Sequence, residues 1–177
     1  DSMESEELLE RLCPPVRNWF KDKFPDFTEP QKVAIPRILN GEHLLLCSPT
    51  GSGKTLTAFL TIIDDLVRRS LDGSLPDAVQ CVYISPIKAL ANDIEKNLLG
   101  PLGEIKERYL PSRAKEIKVG LRTGDTPQSE REKMLRKPPH ILITTPESMG
   151  LGLASKRFRP ILDQMKWFII DEMHSLV

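Results

Sequence analysis

Short apolar runs recur along the chain, and polar or amphipathic segments of helical period separate them. The runs are rich in β-branched residues and show little polar alternation, which is typical of strands buried on both faces of a parallel sheet. We predict strands in the apolar runs 44–47, 78–84, 116–121, 140–144 and 166–171. The expected fold class is therefore α/β with three layers: a mostly parallel sheet of about five or more strands, with helices on both faces.

The N-terminal part has a purely helical pattern. An amphipathic run over 4–12 is interrupted by a pair of prolines, and a second helical run over 16–24 carries aromatic residues at helical spacing. We expect these aromatic residues to be buried rather than to stack on bases. The predicted organisation is a short helical N-terminal extension over 1–26, followed by one main domain over 27–177.

A turn of small polar residues follows the first apolar run and precedes a helical one. Its sequence over 48–55 is Ser-Pro-Thr-Gly-Ser-Gly-Lys-Thr, and strand, glycine-rich turn and helix form the context of a phosphate-binding loop. Glycines let backbone N–H groups approach a phosphate, and the helix N-terminus adds unpaired N–H groups. The residues expected to bind the nucleotide here are Thr50, Gly51, Ser52, Gly53, Lys54 and Thr55. Serine occupies position 48, where the strict motif has glycine.

The chemistry of such a site needs a lysine, a magnesium ligand and acidic residues. Lys54 is expected to reach the β- and γ-phosphates, and the Thr55 hydroxyl to bind Mg²⁺. Asp171 and Glu172 end the last apolar run; the first would hold Mg²⁺, and the second would orient or deprotonate the attacking water. We therefore predict ATP and Mg²⁺ as ligands, with Lys54, Asp171 and Glu172 in catalysis. Thr55 and Asp171 are the predicted metal ligands, and His174 is expected to couple the site to a partner element.

Three further strand exits carry a Ser-Pro or Thr-Pro pair that opens a helix, at 85–86, 126–127 and 145–146. Because the carboxyl ends of parallel strands meet at one edge of a sheet, we expect these loops to lie beside the phosphate loop. Free N–H groups at helix starts, with Lys88 and Arg122 nearby, would suit the sugar–phosphate backbone of a single strand. Ordinary capping is the alternative at each site, and Thr126 is a candidate N-cap for a helix over 127–136.

Composition and charge exclude some classes of function. The chain has 40% hydrophobic and 28% charged residues, zero net charge and no apolar run as long as a membrane span, so we expect no membrane partner. Zero net charge argues mildly against a large nucleic-acid surface, but bases outnumber acids over 85–122. The three cysteines have no metal-ligand spacing, and buried reduced thiols would suit a cytoplasmic protein.

Several stretches occur in the order of a known set of motifs: 27–31, 48–55, 85–93, 122–127, 144–148 and 171–174. By these stretches the sequence resembles the first RecA-like motor domain of a superfamily 2 DExH-box helicase, specifically of the large helicase-related (Lhr) family. The most family-specific are Ser-Pro-Ile-Lys-Ala-Leu-Ala-Asn-Asp at 85–93 and Arg-Thr-Gly-Asp-Thr-Pro at 122–127.

The resemblance implies a RecA-like P-loop NTPase in which Gln31 reads adenine and Phe27 packs near it. It also implies that the strand exits line the path of nucleic acid. The residues matched there are Pro86, Lys88, Arg122, Thr123, Gly124, Asp125, Thr145, Pro146 and Glu147. Family members hydrolyse ATP to move along and unwind nucleic acid, typically with 3′-to-5′ polarity on DNA or DNA–RNA hybrids. Single-stranded DNA or RNA is therefore the implied partner.

The resemblance also implies a second RecA-like domain that supplies arginine fingers, and we expect this chain to be a fragment of a larger enzyme. An arginine finger contributes roughly 10³–10⁵ in rate in related phosphoryl-transfer systems, so the chain alone should be nearly inactive. Two alternatives stay open: a nucleotide-gated binding module for nucleic acid or protein without turnover, and a subunit of a duplex translocase. The Lhr-like stretches favour the helicase.

Overall fold

The computed structural model describes residues 4–40, 54–86 and 94–170. In this part of the chain the α-helices are α1 (Ser5–Arg11), α2 (Pro14–Lys23), α3 (Glu29–Leu39), α4 (Lys54–Asp72), α5 (Gly100–Arg108), α6 (Gln128–Arg136) and α7 (Pro146–Ala154). The strands are β1 (Cys81–Ile84), β2 (Val119–Arg122), β3 (Ile141–Thr144) and β4 (Trp167–Ile170). A π-helical turn, Glu95–Leu99, precedes α5, and a 3₁₀ turn, Arg159–Leu162, precedes β4.

The chain divides into two compact units. A helical unit comprises Asp1–Leu75 and Asn92–Lys115, and a sheet unit comprises Pro76–Ala91 and Glu116–Val177. The N-terminal helices α1 and α2 belong to the same unit as α3 and α4. The expected boundary between an extension and a main domain, at residues 26 and 27, stays a prediction.

Helix α4 is the central element of the helical unit, where it contacts α2, α3 and the π-helical turn. Its apolar residues are buried over most of its length; these are Ala58, Phe59, Leu60, Ile62, Ile63, Leu66 and Val67. A helix that is apolar on most sides needs partners on most sides, and α2 and α3, which carry the buried residues Val16, Phe20 and Ile35, lie against it.

A buried carboxylate joins α4 to the corner between α1 and α2. Asp64 is only 1% exposed, and its Oδ1 accepts a hydrogen bond of 2.6 Å from the backbone N–H of Cys13, the N-cap of α2. Its Oδ2 accepts from Nε of Arg68 at 3.0 Å, and the same guanidinium donates to the carbonyl of Arg11. The Asp64 carboxylate therefore accepts a hydrogen bond from a free N–H at the start of α2. It also orients Arg68, which donates to a free carbonyl at the end of α1.

The aromatic residues of α2 are packed inside the helical unit, which confirms the expectation that they are not a base-stacking platform. Trp19 and Phe20 are buried, and the ring centroids of Phe20 and Phe27 lie 4.1 Å apart in a stacked geometry. The indole N–H of Trp19 donates to Glu104 of α5 at 2.8 Å. This hydrogen bond, followed by that from Lys23, lowers the pKa of the Glu104 carboxyl.

Two of the three cysteines lie among the described residues, and both are buried free thiols. Burial, followed by the negative charge of Asp64, raises the pKa of Cys13 to about 12. Burial alone raises the pKa of Cys81, the first residue of β1. Both thiols are therefore protonated at neutral pH and poor nucleophiles, as expected for Cys81, whereas Cys47 lies outside the described residues.

The sheet unit contains a parallel sheet in which the strand order is β2-β3-β1-β4. The strands are in register to their last residues, because Ile84 lies opposite both Thr144 and Ile170, and Arg122 lies opposite Thr144. All four strands therefore end at the same edge, and the loops that follow them leave from that edge. The additional strand expected over 44–47 lies outside the described residues.

Apolar side chains on one face of the sheet form the core of this unit. Val82, Ile84 and Leu142 pack with Met149 of α7 and with Phe158. Partly buried residues of α6 and the 3₁₀ turn complete the cluster; these include Met134, Leu135, Ile161 and Leu162. The mixed α/β class, with a parallel sheet flanked by helices, is confirmed.

The strands are shorter than expected because the residues before them form other contacts. Val79 donates its N–H to the carbonyl of Ile161, and β1 begins only at Cys81. The backbone N–H of Lys118 donates to Nδ1 of His140 at 2.9 Å, and β2 begins only at Val119. These contacts occupy the backbone N–H groups of Val79 and Lys118 just before β1 and β2.

The expectation that Thr126 caps the following helix is wrong. Helix α6 begins at Gln128 with Pro127 at the N-cap position and no side-chain cap. The Thr126 hydroxyl instead accepts from the N–H of Thr123 at 2.8 Å and donates to the carbonyl of Leu121 at 3.3 Å. It therefore closes the preceding turn. Among the described helices, none has the length and apolar character that crossing a membrane requires.

Replacing Asp64 with alanine is expected to lower the free energy of unfolding by about 2–3 kcal/mol, because the Cys13 N–H and the Arg68 guanidinium lose their shared acceptor. Glu29→Ala is the control: its side chain is 80% exposed and pairs with Lys32 one turn along α3. That loss should cost less than about 1 kcal/mol. Urea unfolding of both variants measures the difference, and equal losses would contradict the role given to Asp64.

Candidate nucleotide and nucleic-acid site

The predicted phosphate and magnesium residues are described only in part. Thr50–Gly53, Lys88, Asp171, Glu172 and His174 lie outside the described residues. Helix α4 begins at Lys54, followed by Thr55, as the phosphate-loop prediction requires, although nothing is described of these two side chains. Strand β4 ends at Ile170, the residue before the predicted acidic pair. The assignments of these residues to phosphate and magnesium stay predictions.

The segment from Phe27 to Gln31 forms a capping box at the start of α3. The Thr28 hydroxyl accepts from the N–H of Gln31 at 3.4 Å, and the Gln31 Oε1 accepts from the N–H of Thr28 at 2.8 Å. This reciprocal pair satisfies two backbone donors that the helix cannot satisfy itself. Because Gln31 is only 7% exposed, the bond fixes the direction of its carboxamide. No described residue accepts a hydrogen bond from its amide nitrogen.

The turn after β2 is closed by threonine side chains. Besides the Thr126 contacts described above, the Thr123 hydroxyl accepts from the N–H of Asp125 at 3.2 Å. The Thr144 hydroxyl donates to the carbonyl of Arg122 at 2.6 Å and joins the ends of β2 and β3. Thr123 is buried, whereas Gly124 and Asp125 are exposed at the strand edge. This edge therefore offers the backbone of a glycine turn to a ligand.

The start of α7 has the cap-and-proline arrangement that the sequence predicts. Thr145 is the N-cap, its hydroxyl accepts from the N–H of Ser148 at 3.3 Å, and Pro146 follows in the first turn. Thr145 is buried and Glu147 is exposed. The hydroxyl is used within the protein, so any contribution of Thr145 to nucleic-acid binding stays a prediction.

Arg122 makes internal contacts that its sequence context does not indicate. Its Nη1 donates to the carbonyl of Ser148 at 2.8 Å, and its Cζ lies 4.6 Å from the centroid of the Phe158 ring. Burial, followed by the positive charge of Arg131, lowers the pKa of Arg122. The guanidinium therefore joins the end of β2 to α7. That the remaining N–H donors of Arg122 contact nucleic acid directly stays a prediction.

Three residues that sequence reasoning missed support this edge. Arg131 donates from Nη2 to the carbonyl of Thr123 at 2.9 Å, so α6 holds the turn that precedes it. Phe158 supplies the ring beneath Arg122. Gly152 leaves room for that ring, because a Cβ there would lie 2.7 Å from Phe158 Cε1. None of these roles has a local sequence signal, since each depends on residues that the fold brings together.

A family model described as DEAD/DEAH box helicase matches residues 28–177, which is most of the chain. The chain belongs to the DEAD/DEAH box helicase family. Within it, the Lhr resemblance is also confirmed by the relatives that the chain matches.

Those relatives are named ATP-dependent helicases or Lhr helicases. The chain is 50% identical over 173 residues to the ATP-dependent helicase Lhr-Core of Sulfolobus acidocaldarius, covering 97% of this chain and 19% of that protein. Identity to the Lhr-Core of Methanothermobacter thermautotrophicus is 52%, covering 97% and 20%. Identity to the Lhr helicase/uracil glycosylase of Escherichia coli K12 is 43%, covering 96% and 11%. The chain therefore spans about a fifth or less of these proteins.

A solved structure supports the same assignment. The chain matches the structure of the Mycobacterium smegmatis helicase Lhr bound to ssDNA and AMP-PNP with a TM-score of 0.78 and 42% identity. The match covers 96% of this chain and 21% of that one. The DEAD-box helicase Mss116, bound to ssRNA and UDP-BeF, has a TM-score of 0.72 at 22% identity and so bears on the fold alone. The RecA-like helicase fold is confirmed.

Gly152→Ala is expected to lower the free energy of unfolding by about 1–3 kcal/mol, because the added methyl group would clash with the buried Phe158 ring under Arg122. Gly150→Ala, in the same helix, is the control: a Cβ there meets nothing within 4 Å. The control should gain up to about 1 kcal/mol from helix propensity. Urea unfolding distinguishes the two, and a stabilised Gly152→Ala variant would contradict the packing described.

Proposed function

We propose that this domain binds MgATP and acts as the first motor domain of an ATP-dependent nucleic-acid helicase. The observation that carries the proposal is the common edge at which β1, β2, β3 and β4 end. Every motif after the phosphate loop begins at or next to such an exit, and α4 begins at Lys54. Ligands of open parallel sheets bind at the carboxyl ends of the strands.

The nucleotide chemistry is assigned to the start of α4 and to the acidic pair that follows β4 in the sequence. The N-terminus of α4 would offer backbone N–H groups to the phosphates, and Lys54 would add a charge at the β- and γ-phosphates. Thr55 and Asp171 provide a hydroxyl and a carboxylate, and hard oxygen donors fit Mg²⁺. When bound, Mg²⁺ would neutralise charge on the phosphate oxygens. Glu172 would orient the attacking water or accept its proton.

Adenine recognition is proposed for Gln31, with Phe27 packed near the base. The capping box engages one lone pair of Oε1, which leaves the second lone pair and both N–H bonds of the amide nitrogen. That pattern matches a donor and an acceptor on the adenine edge, N6 and N7. Because the same amide also caps α3, its direction is fixed before the nucleotide binds, and less conformational entropy is lost on binding.

The path of single-stranded DNA or RNA is proposed along the exits after β1, β2 and β3. Gly124, Asp125 and Glu147 are exposed there, and α6 and α7 begin beside them. Pro86, Lys88, Arg122 and Thr123 belong to the same proposed path, as do Thr145 and Pro146. The similar Mycobacterium smegmatis helicase Lhr, whose structure holds ssDNA, supports this assignment.

A complete enzyme is proposed to need a second RecA-like domain that contributes arginine fingers, with His174 coupling the nucleotide site to it. The chain spans about a fifth of its archaeal relatives, so ATP-driven unwinding belongs to the full-length protein. The chain alone is expected to turn over ATP slowly, because an arginine finger contributes roughly 10³–10⁵ in rate. The expected cytoplasmic location stays a prediction.

ATP hydrolysis by the full-length protein tests the proposal. Single strands should stimulate it, and Glu172→Gln should reduce it by roughly 10²-fold or more through loss of the base. Lys54→Ala should abolish MgATP binding, measured by calorimetry. Hydrolysis that only duplex stimulates would favour the translocase alternative, and binding without turnover would favour the nucleotide-gated module. Full hydrolysis in Glu172→Gln would remove the assigned base.

Two variants of Gln31 separate capping from base recognition. Gln31→Glu keeps an oxygen acceptor for the Thr28 N–H but loses the amide donor, so the KM ratio for UTP over ATP should fall roughly tenfold while stability is kept. Gln31→Ala should lose that selectivity and also about 1 kcal/mol of stability. Steady-state kinetics with both nucleotides and thermal unfolding measure the two effects. Unchanged selectivity in Gln31→Glu would contradict adenine recognition.

A further inference from the structure

A cavity of about 170 Å³ in the sheet unit is lined mainly by polar and charged side chains. It lies between the end of β2, helix α6 and the segment that links α7 to the 3₁₀ turn, and we call it the arginine cavity. Its polar lining residues are Arg122, Gln128, Arg131, Glu132, Ser155 and Arg157. Three are cations and one is an anion, so the cavity carries a surplus of positive charge.

The single carboxylate of the lining is already neutralised. Glu132 accepts from both terminal nitrogens of Arg157, at 3.1 and 2.8 Å, and from the Gln128 amide at 3.1 Å. The hydrogen bond from Arg157 is the largest cause of the lowered pKa of Glu132. A bidentate pair of this kind has little net charge to offer a third group. Glu132 therefore does not balance the two remaining arginines.

Arg122 and Arg131 face the cavity as two like charges. Their described hydrogen bonds go to neutral carbonyls, from Arg122 to Ser148 and from Arg131 to Thr123. Among the described residues, Nε of Arg131 is also buried without a hydrogen-bond partner. Two partly buried cations close together repel each other, and an anion between them would relieve that repulsion.

The size and the charged lining of the cavity indicate which kind of anion it can hold. Its volume is below the roughly 300 Å³ at which pockets for drug-sized ligands begin, so it suits one tetrahedral anion rather than a whole nucleotide. Guanidinium groups match phosphate oxygens in a bidentate geometry. The cavity also adjoins the 122–126 turn, because Arg122 lies at its start and Arg131 bonds to Thr123.

We propose that the arginine cavity binds a phosphate group. Its source is either a phosphodiester of a single strand that passes the 122–126 turn or a free phosphate ion. The first source rests on the proposed function, and the second is independent of it. Arg131 is the residue whose charge is available to the anion, and Glu132 opposes binding by holding Arg157.

The test uses the full-length protein and a labelled oligothymidylate, with fluorescence anisotropy over a series of salt concentrations. Arg131→Gln should weaken binding roughly tenfold and reduce the slope of log K against log salt by about 0.7, the value for one phosphate contact on a single strand. Lys133→Gln is the control, because it removes a charge two residues along α6, on a different face. Arg131→Lys should restore the slope, and Glu132→Gln should tighten binding.

Inorganic phosphate, titrated by calorimetry, separates the two sources. A free phosphate is supported if Arg131→Gln leaves the salt slope of oligothymidylate binding unchanged but removes a saturable binding of inorganic phosphate. Unchanged behaviour of Arg131→Gln in both assays would overturn the proposal while leaving the helicase function intact. If the unchanged protein binds no oligothymidylate, the proposed function fails and the phosphate titration alone decides the cavity. If Arg131→Gln does not fold, Glu132→Gln is compared with Glu130→Gln, which removes an exposed carboxylate of the same helix. An anion site predicts tighter phosphate and oligothymidylate binding in Glu132→Gln only, whereas equal effects of the two variants would overturn the proposal.

Discussion

Hydrogen bonding between four short parallel strands imposes the arrangement on which the remaining features depend. Parallel strands need a long crossover connection between them, so each exit leads towards a helix rather than a hairpin. The register ends β1, β2, β3 and β4 side by side at Ile84, Arg122, Thr144 and Ile170. The pairing of the strands therefore places the polar residues that follow β1, β2 and β3 at one edge of the sheet.

At that edge most of the polar side chains form hydrogen bonds within the protein. Arg122 and Thr144 bond to backbone carbonyls, and Thr145 accepts a backbone N–H. Gln31 does the same in the helical unit, where it completes the capping box of α3. Leaving these groups unsatisfied would cost about 1–3 kcal/mol each, so they are fixed in direction. If they contact a ligand, as proposed above, little further conformational entropy is lost in ordering them.

In the helical unit, buried polar side chains likewise form hydrogen bonds that hold the helices together. Asp64 lies ten positions after Lys54 in α4, roughly 15 Å along the helix axis, and its buried carboxylate holds the corner between α1 and α2. Trp19 and Glu104 fasten α2 to α5. The N-terminal helices are therefore held against α4, the helix whose first residues are proposed to bind the nucleotide.

Local patterns in the sequence determined the strands, the helix starts at Thr28 and Thr145, and the family, because periodicity, caps and motifs involve residues only a few positions apart. The tertiary structure alone decided that Thr126 closes a turn instead of capping α6, and that Arg122 stacks on Phe158. It also decided that Arg131 shares a cavity with Arg157. Each of these depends on partners that only folding brings into contact, and no local pattern encodes the distance between them.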